Sequence, residues 1–234
     1  MSFSGLHADE DSDVPVHGRA YDHRRDAVMV RVPAGTFRMG SDRHYPEEAP
    51  AHRATVDPFW MDRTPVTNRQ FREFVKATGY ITFAEILPDP EDYPGALPHM
   101  LYAGSLVFLP PARQTDPRDW SQWWTFLKGA DWRHPYGPKS NINGLDNHPV
   151  VHVAFVDALA YAKWADKDLP TEAEWEFAAR GGLDGAEFAW GDEFTPGGKH
   201  MANTWQGEFR NRIYVPTDSS AHRPSPHSRP TVTA

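Results

Sequence analysis

The chain has 234 residues, of which 39% are hydrophobic, with nine Trp and thirteen Phe. This is enough for one domain with a sizeable core. Its 32 acidic and 24 basic side chains give a formal net charge of −8. That balance argues against a nucleic-acid partner, because a phosphate-binding face requires clustered Lys and Arg. The cysteine count is zero, so neither a disulfide nor a cysteine nucleophile is available in these residues.

Residues 1–26 place an acidic group of side chains before a basic one and contain no apolar segment of the kind found in signal peptides. We expect this N-terminal segment to be disordered. The rest of the chain has no run of 18 or more apolar residues, which predicts that nothing spans a membrane. These features together favour a cytoplasmic protein.

The regular elements are predicted to be short, because 22 Pro and 17 Gly are scattered through the chain. Hydrophobic patterning predicts two helices before residue 170, and Phe71, Phe74 and Val75 form the apolar face of the first. The segment from Pro88 to Gln114 is interpreted as a long surface excursion. In chain order, we expect strands at 28–32, 36–39 and 53–59, a helix at 67–77, a strand at 150–153 and a helix at 155–165.

A third helix has clear boundary signals. Thr171 is its predicted N-cap, Glu174 completes a capping box, and Gly181 supplies a left-handed stop. Glu172, Glu174 and Glu176 resemble an acid/base set. We interpret them instead as carboxylates that favour the positive end of the helix dipole.

Four tryptophans lie close together in the sequence, at positions 120, 123, 124 and 132. A functional interpretation makes them a surface on which a peptide or a sugar stacks. A structural interpretation, which we favour, makes them the anchor that pins a long loop to the core. The adjacent Arg133-His134-Pro135 segment is interpreted in the same way, as a structural latch.

His148 and His152 have the four-residue spacing that chelates zinc on a helix. Their surroundings predict a strand, however, and residues i and i+4 of a strand stand about 13 Å apart. We therefore expect packing or hydrogen-bonding roles for both. The chain also has no nucleophile elbow, phosphate loop, dinucleotide fingerprint or His-Glu-x-x-His motif.

Several segments occur in one particular order along the chain. They are Val32–Ser41, Tyr45–Pro50, Pro65–Phe71, Trp123–Pro135, His148–Val153, Leu169–Gly182, Ala189–Gly191 and Ala202–Phe209. In this order the chain resembles the formylglycine-generating enzymes, also called sulfatase-modifying factors, from about Val28 to Phe209. The segments Trp123–Pro135 and His148–Val153 resemble the oxidase branch rather than the wider superfamily.

The resemblance implies a fold and an activity. The fold is α+β, an irregular C-type-lectin-like domain with little regular secondary structure. The activity is oxidation of one cysteine, in a Cys-x-Pro-x-Arg segment of a sulfatase client, to Cα-formylglycine. It uses O2 and a copper(I) ion held by two cysteines. A bacterial, cytoplasmic protein is the natural expectation.

The resemblance also implies a calcium site. It is formed by the side chain of an Asn and the carbonyl of the next residue, here Asn203 and Thr204, with further oxygens about a dozen residues later. Calcium requires six to eight oxygens, and the later donors fall where the family pattern is absent. We expect only a remnant of this site. The copper site is expected to be absent.

The resemblance predicts three parts in the chain. They are a disordered segment at 1–26, a partial sulfatase-modifying factor domain at 27–209 that is incomplete at its C-terminus, and a disordered tail at 210–234. The tail is rich in Arg, Pro and Ser, and our hypothesis for its origin is a frameshift; the alternative is a divergent tail. Two functional hypotheses follow: an oxidase by descent that is inactive as written, and a non-catalytic binding or scaffold module.

Overall fold

The computed structural model describes residues 29–109 and 119–202. Within them it forms six strands, three α-helices and several single 3₁₀ turns. The strands are β1 (Met29–Val32), β2 (Gly35–Met39), β3 (His52–Val56), β4 (Phe59–Asp62), β5 (Gly104–Phe108) and β6 (Trp124–Lys128); the helices are α1 (Asn68–Thr78), α2 (Phe155–Trp164) and α3 (Glu172–Arg180). The 3₁₀ turns are Pro46–Glu48, Phe83–Glu85, Pro90–Asp92, Pro98–Met100, Trp120–Gln122 and Pro196–Gly198.

The six strands pair as three separate two-stranded antiparallel sheets, β1 with β4, β2 with β3, and β5 with β6. The expected strands at 28–32 and 36–39 are confirmed. The single strand expected at 53–59 is divided, because β3 ends at Val56 and β4 begins at Phe59. The intervening Asp57-Pro58 accounts for the break, since proline lacks the N–H that a ladder requires.

The helix boundaries follow the sequence signals. Thr67 caps α1 through a capping box with Gln70, and Gly79 ends the helix in the left-handed region at φ 71°. Helix α3 begins and ends in the same way. Thr171 and Glu174 exchange the two bonds of a capping box, and Gly181 ends the helix in the left-handed region at φ 54°. The predictions of all three helices are confirmed to within a residue or two.

The predicted strand at 150–153 is wrong. His152 has a left-handed backbone at φ 56°, a conformation that a strand does not contain. Its ring is held by two tertiary hydrogen bonds: Nε2 donates to the carbonyl oxygen of Pro135 at 2.9 Å, and Nδ1 is bonded to Ser105 Oγ at 2.8 Å. These contacts, which are distant in sequence, override the local β propensity of the valines.

The interpretation of residues 88–114 as a surface excursion is only partly right. Strand β5 lies within this segment and pairs with β6, with Leu106 opposite Phe126. The two strands come from segments separated by residues 110–118, which lie outside the description. The sequence pattern around β5 does not predict a strand, because β5 forms by pairing with β6, which is distant in the sequence.

The main core cluster joins α1 to the segment after β6. Its buried members are Phe71, Phe74, Trp132 and Ile142. The rings of Phe71 and Trp132 meet edge to face at a centroid distance of 5.2 Å, a favoured aromatic geometry. This cluster fixes Trp132 against α1 and thereby positions the residues on either side of it.

The α+β fold class is confirmed: the described residues form three helices and three small sheets, and much of the rest is irregular. Among residues 29–109 and 119–202, no helix combines the length and the apolar character needed to cross a bilayer.

Candidate functional site

An open cleft of about 450 Å³ lies beside the aromatic core. Its volume falls within the range typical of small-molecule sites. Its floor includes Trp132 and Ile142, two members of the core cluster. The polar groups around it include Arg72, Arg133, His134, Asn141, Asn143 and Asp146.

Arg133 lies across the floor of the cleft. The guanidinium carbon is 4.2 Å from the ring centroid of Trp132, a cation–π contact. Its Nη1 donates to Glu85 Oε1 at 2.6 Å. Glu85 also accepts from the backbone N and the hydroxyl of Thr82. The side chain of Arg133 is therefore held on one side by an aromatic ring and on the other by a carboxylate that is itself fixed.

Arg72 reaches the cleft from α1. Its Nη2 lies 2.8 Å from Asp146 Oδ1 in a pair that is about half exposed, so the pair itself adds little stability. The backbone brings the two residues together, because Arg69 N donates to the carbonyl oxygen of Asp146 at 3.0 Å and Asn68 N donates to that of His148 at 2.9 Å. The first turn of α1 thus holds the 146–148 segment through groups that helix starts leave unpaired.

His134 and the asparagines occupy the turns after Trp132. Asp131 Oδ1 accepts from the backbone N atoms of Arg133 and His134, at 2.6 and 2.9 Å. Nδ1 of His134 lies 3.2 Å from both carboxylate oxygens of Asp131. Farther along, Asn141 Oδ1 accepts from Asn143 N at 2.9 Å. Both are short Asx-type turns, in which a side chain replaces a backbone acceptor.

The groups with shifted pKa values lie elsewhere in the fold. Burial, followed by the hydrogen bond to Asp157, raises the pKa of Tyr80 above its usual value. Burial also raises the pKa of Tyr136. A hydrogen bond from Arg53 is the main cause that lowers the pKa of Asp184, and a bond from the backbone N of Arg38 adds to it.

Two of the three glutamates of α3, Glu174 and Glu176, have structural partners. Glu174 completes the capping box with Thr171. Glu176 accepts from the backbone N of Gly40 at 3.0 Å and from Arg180 Nη2 at 2.5 Å, which ties the helix to the residue after β2. This agrees with a structural rather than a catalytic role for these carboxylates.

The tryptophans at positions 123, 124 and 132 differ in their exposure to solvent. Trp123 and Trp132 are buried, as expected of anchors, whereas Trp124 is exposed at the edge of β6. The side chain of Trp120 is not described. The expected latch at 133–135 is present, since Arg133 binds Glu85 and the carbonyl of Pro135 binds His152. The sequence pattern did not point to Arg72, Asn141, Asn143 or Asp146. A local signal was available only in the Asn-Ile-Asn-Gly turn at residues 141–144.

Comparison with known proteins identifies the family. The sulfatase-modifying factor enzyme 1-like domain matches residues 18–230. The formylglycine-generating enzyme of Mycobacterium tuberculosis is 58% identical over 184 residues, which are 79% of this chain and 61% of that protein. The enzyme of the same name from Streptomyces coelicolor is 47% identical over 196 residues, or 82% of this chain and 59% of that protein.

A third relative, the inactive Cα-formylglycine-generating enzyme 2 of Mus musculus, is 42% identical over 196 residues, covering 80% of this chain and 57% of that protein. The chain spans about three fifths of the length of these relatives. The structure defines the protein as an irregular α+β domain, and the similarity of its sequence to these relatives defines its family. The chain belongs to the formylglycine-generating enzyme, or sulfatase-modifying factor, family.

The residues present do not fit the copper(I) site that the family implies. Copper(I) is soft and selects thiolate or thioether ligands, and the 234 residues contain no cysteine. In residues 29–109 and 119–202, there is also no group of three or more His, Asp or Glu side chains placed to hold a metal ion. The calcium residues named from the sequence, Asn203 and Thr204, lie outside the described residues, so that expectation stays a prediction.

Proposed function

We propose that this protein descends from the copper- and O2-dependent oxidases that convert a sulfatase cysteine to formylglycine, and that these 234 residues do not catalyse the reaction. The family membership supports the descent. The absence of cysteine carries the second half of the proposal. Carboxylates and amides do not replace a pair of thiolates for a soft ion.

The direct test is a conversion assay. The full chain, copper(I), O2 and a synthetic Cys-x-Pro-x-Arg peptide are incubated, and the peptide is examined by mass spectrometry for loss of the thiol and formation of an aldehyde. The Mycobacterium tuberculosis relative, treated in parallel, shows whether the assay works. We expect conversion by the relative and none by this chain. Conversion by this chain at a rate above the copper-only control refutes the proposal.

A second candidate function is a binding or scaffold module that holds a sulfatase client peptide without turnover. Two observations favour considering it. A relative that is 42% identical carries the name of an inactive enzyme, and large apolar side chains stand exposed on two helices, with Phe155 at 71% on α2 and Trp175 at 62% on α3. Exposed apolar side chains are typical of an interaction surface where they form one contiguous patch.

The two candidates differ in peptide affinity. A fluorescent client peptide with Ser in place of the reactive Cys is titrated with the full chain, and fluorescence anisotropy is recorded. Saturable binding that is lost when the Arg of the Cys-x-Pro-x-Arg segment is replaced supports the binding module. The absence of both binding and conversion supports an oxidase lineage that has lost its function in this chain.

We also propose that Asn203 and Thr204 retain only part of a calcium site. Two oxygen donors are far fewer than the six to eight that calcium requires. A cytoplasmic location is a separate proposal. A calcium titration of the full chain by calorimetry is expected to show no binding tighter than the millimolar range.

A further inference from the structure

We propose that the cleft beside Trp132 is a binding site for a small oxyanion of the carboxylate or phosphate type. The proposal does not depend on copper chemistry and goes beyond the function proposed above. It rests on the donors that the fold collects around one cleft, on the charge of that lining, and on a buried N–H group without a partner.

The lining is rich in hydrogen-bond donors. A guanidinium carries five N–H groups, and the structure records one ionic contact for Arg72, to Asp146, and one for Arg133, to Glu85. Both side chains therefore have further N–H groups for a ligand. The amides of Asn141 and Asn143 add donors from the turn at residues 141–144.

His134 supplies a further donor or acceptor. Its contacts with Asp131 use Nδ1, which leaves Nε2 of a side chain that is 40% exposed. Because the residue lines the cleft, this nitrogen is available to a bound molecule.

The charge of the lining is opposite to that of the whole chain. Two arginines and one aspartate line the cleft, which gives the lining itself a formal charge of +1, whereas the chain carries −8. Just outside the lining, Glu85 pairs with Arg133 and Asp131 contacts His134. Arg133 is also fixed by its contact with the indole and by Glu85. A guanidinium held in this way loses little freedom when it binds an anion through its fork of N–H groups.

Trp132 provides the independent observation. Its side chain is 1% exposed, it lies at the floor of the cleft, and its Nε1 has no hydrogen-bond partner among the described residues. A buried N–H without a partner is costly, and such groups are rare in folded proteins. The Nε1 atom itself is shielded from solvent, so an acceptor oxygen bound beside Arg133 reaches it only when the groups over the indole shift. A cation or an apolar ligand offers this N–H no acceptor at all.

The test uses the full chain at constant ionic strength. Inorganic phosphate is titrated by calorimetry, in parallel with N-acetyl-Gly-Asp-Gly-amide and its Asn counterpart, which lacks the charge. The ¹⁵N–¹H signal of the Trp132 indole is followed in the same titrations. We expect saturable binding of phosphate, of the Asp peptide or of both, a shift of the indole signal, and no binding of the Asn peptide. The tighter of the two anions shows whether the source is a free anion or a peptide side chain.

Three variants localise the binding. Arg72→Gln is expected to weaken it about ten-fold or more. Asn143→Ala, which keeps the backbone bond to Asn141, is expected to weaken it by about three- to ten-fold. Arg69→Gln is the matched control, because it makes the same charge change on an exposed position of the same helix, and less than a two-fold change is expected. Absence of saturable binding, or an equal loss in Arg69→Gln and Arg72→Gln, overturns the proposal.

Discussion

Asp157 is a fully buried carboxylate that joins two parts of the fold. Its side chain has 0% exposure. Oδ1 accepts from Tyr80 Oη at 3.1 Å and from Phe83 N at 3.0 Å, and Oδ2 accepts from Ala154 N at 2.8 Å. It thereby ties the start of α2 to the turn that follows α1. The variant Asp157→Ala removes the acceptor for both backbone donors.

The magnitude follows from these bonds. A hydrogen bond to a charged group contributes about 1.5–3 kcal/mol, so the loss of both backbone partners costs roughly 3–6 kcal/mol. This is a large fraction of the stability of a typical domain, about 5–15 kcal/mol. At about 1.4 kcal/mol for each factor of ten, we expect hydrogen exchange at the amides of Phe83 and Ala154 to accelerate by about 100-fold or more.

Hydrogen exchange measured by NMR is the appropriate assay because it reports local opening at each amide. Asp157→Asn sharpens the test. An Asn oxygen still accepts from Phe83, but its NH2 group faces the N–H of Ala154 without accepting from it, so the Ala154 amide is expected to accelerate far more than that of Phe83. Asp57→Ala, at an exposed position, is the control. Less than a ten-fold change at both amides in Asp157→Ala, or the same change in the control, refutes the reasoning.

Two further predictions concern Tyr80 and Gly35. Burial, and then Asp157, raise the pKa of Tyr80, so the contribution of Tyr80 to stability is fully present below pH 10 and is lost as the pH rises through the folded-state pKa. Asp157→Ala is expected to lower that pKa toward 10 without removing the effect of burial. NMR of the ring carbon measures the pKa, and an unchanged value in the variant contradicts the prediction. A Cβ at Gly35 would lie 2.6 Å from Cζ of Phe177, whose ring packs on Phe37 at a centroid distance of 5.2 Å. Gly35→Ala is therefore expected to destabilise the protein at the β2–α3 contact by about 1–3 kcal/mol, as measured by urea unfolding. An unfolding curve that matches the wild type contradicts this, because it shows that the ring moves aside without cost.

The parts of the fold that could be predicted are those with local causes. Thr67 and Thr171 each find their capping partner three residues away, so the sequence alone contains the interaction that begins α1 and α3. Gly79 and Gly181 end these helices for an equally local reason, since glycine tolerates the left-handed backbone. The family resemblance had the same basis, because it depended on ordered motifs that are read directly from the chain.

The parts that could not be predicted depend on distant partners. The segment at 150–153 has the composition of a strand, yet Ser105 and Pro135 hold His152 in a left-handed conformation. Strand β5 forms within a Pro- and Gly-rich segment because β6 pairs with it. Local propensity is weak compared with such contacts, and it loses where the two disagree.

By itself, the sequence determined the family, the helices and their caps, and the lack of any thiolate for copper(I) in these 234 residues. Only the tertiary structure decided that Arg72 of α1 meets Arg133, His134 and Asp146 around Trp132. The physical reason is distance along the chain. Helix capping depends on residues that are neighbours in the sequence, and the ability to bind copper(I) depends on residue type. The cleft, in contrast, exists only after the burial of Phe71 against Trp132 has brought together segments about 60 residues apart.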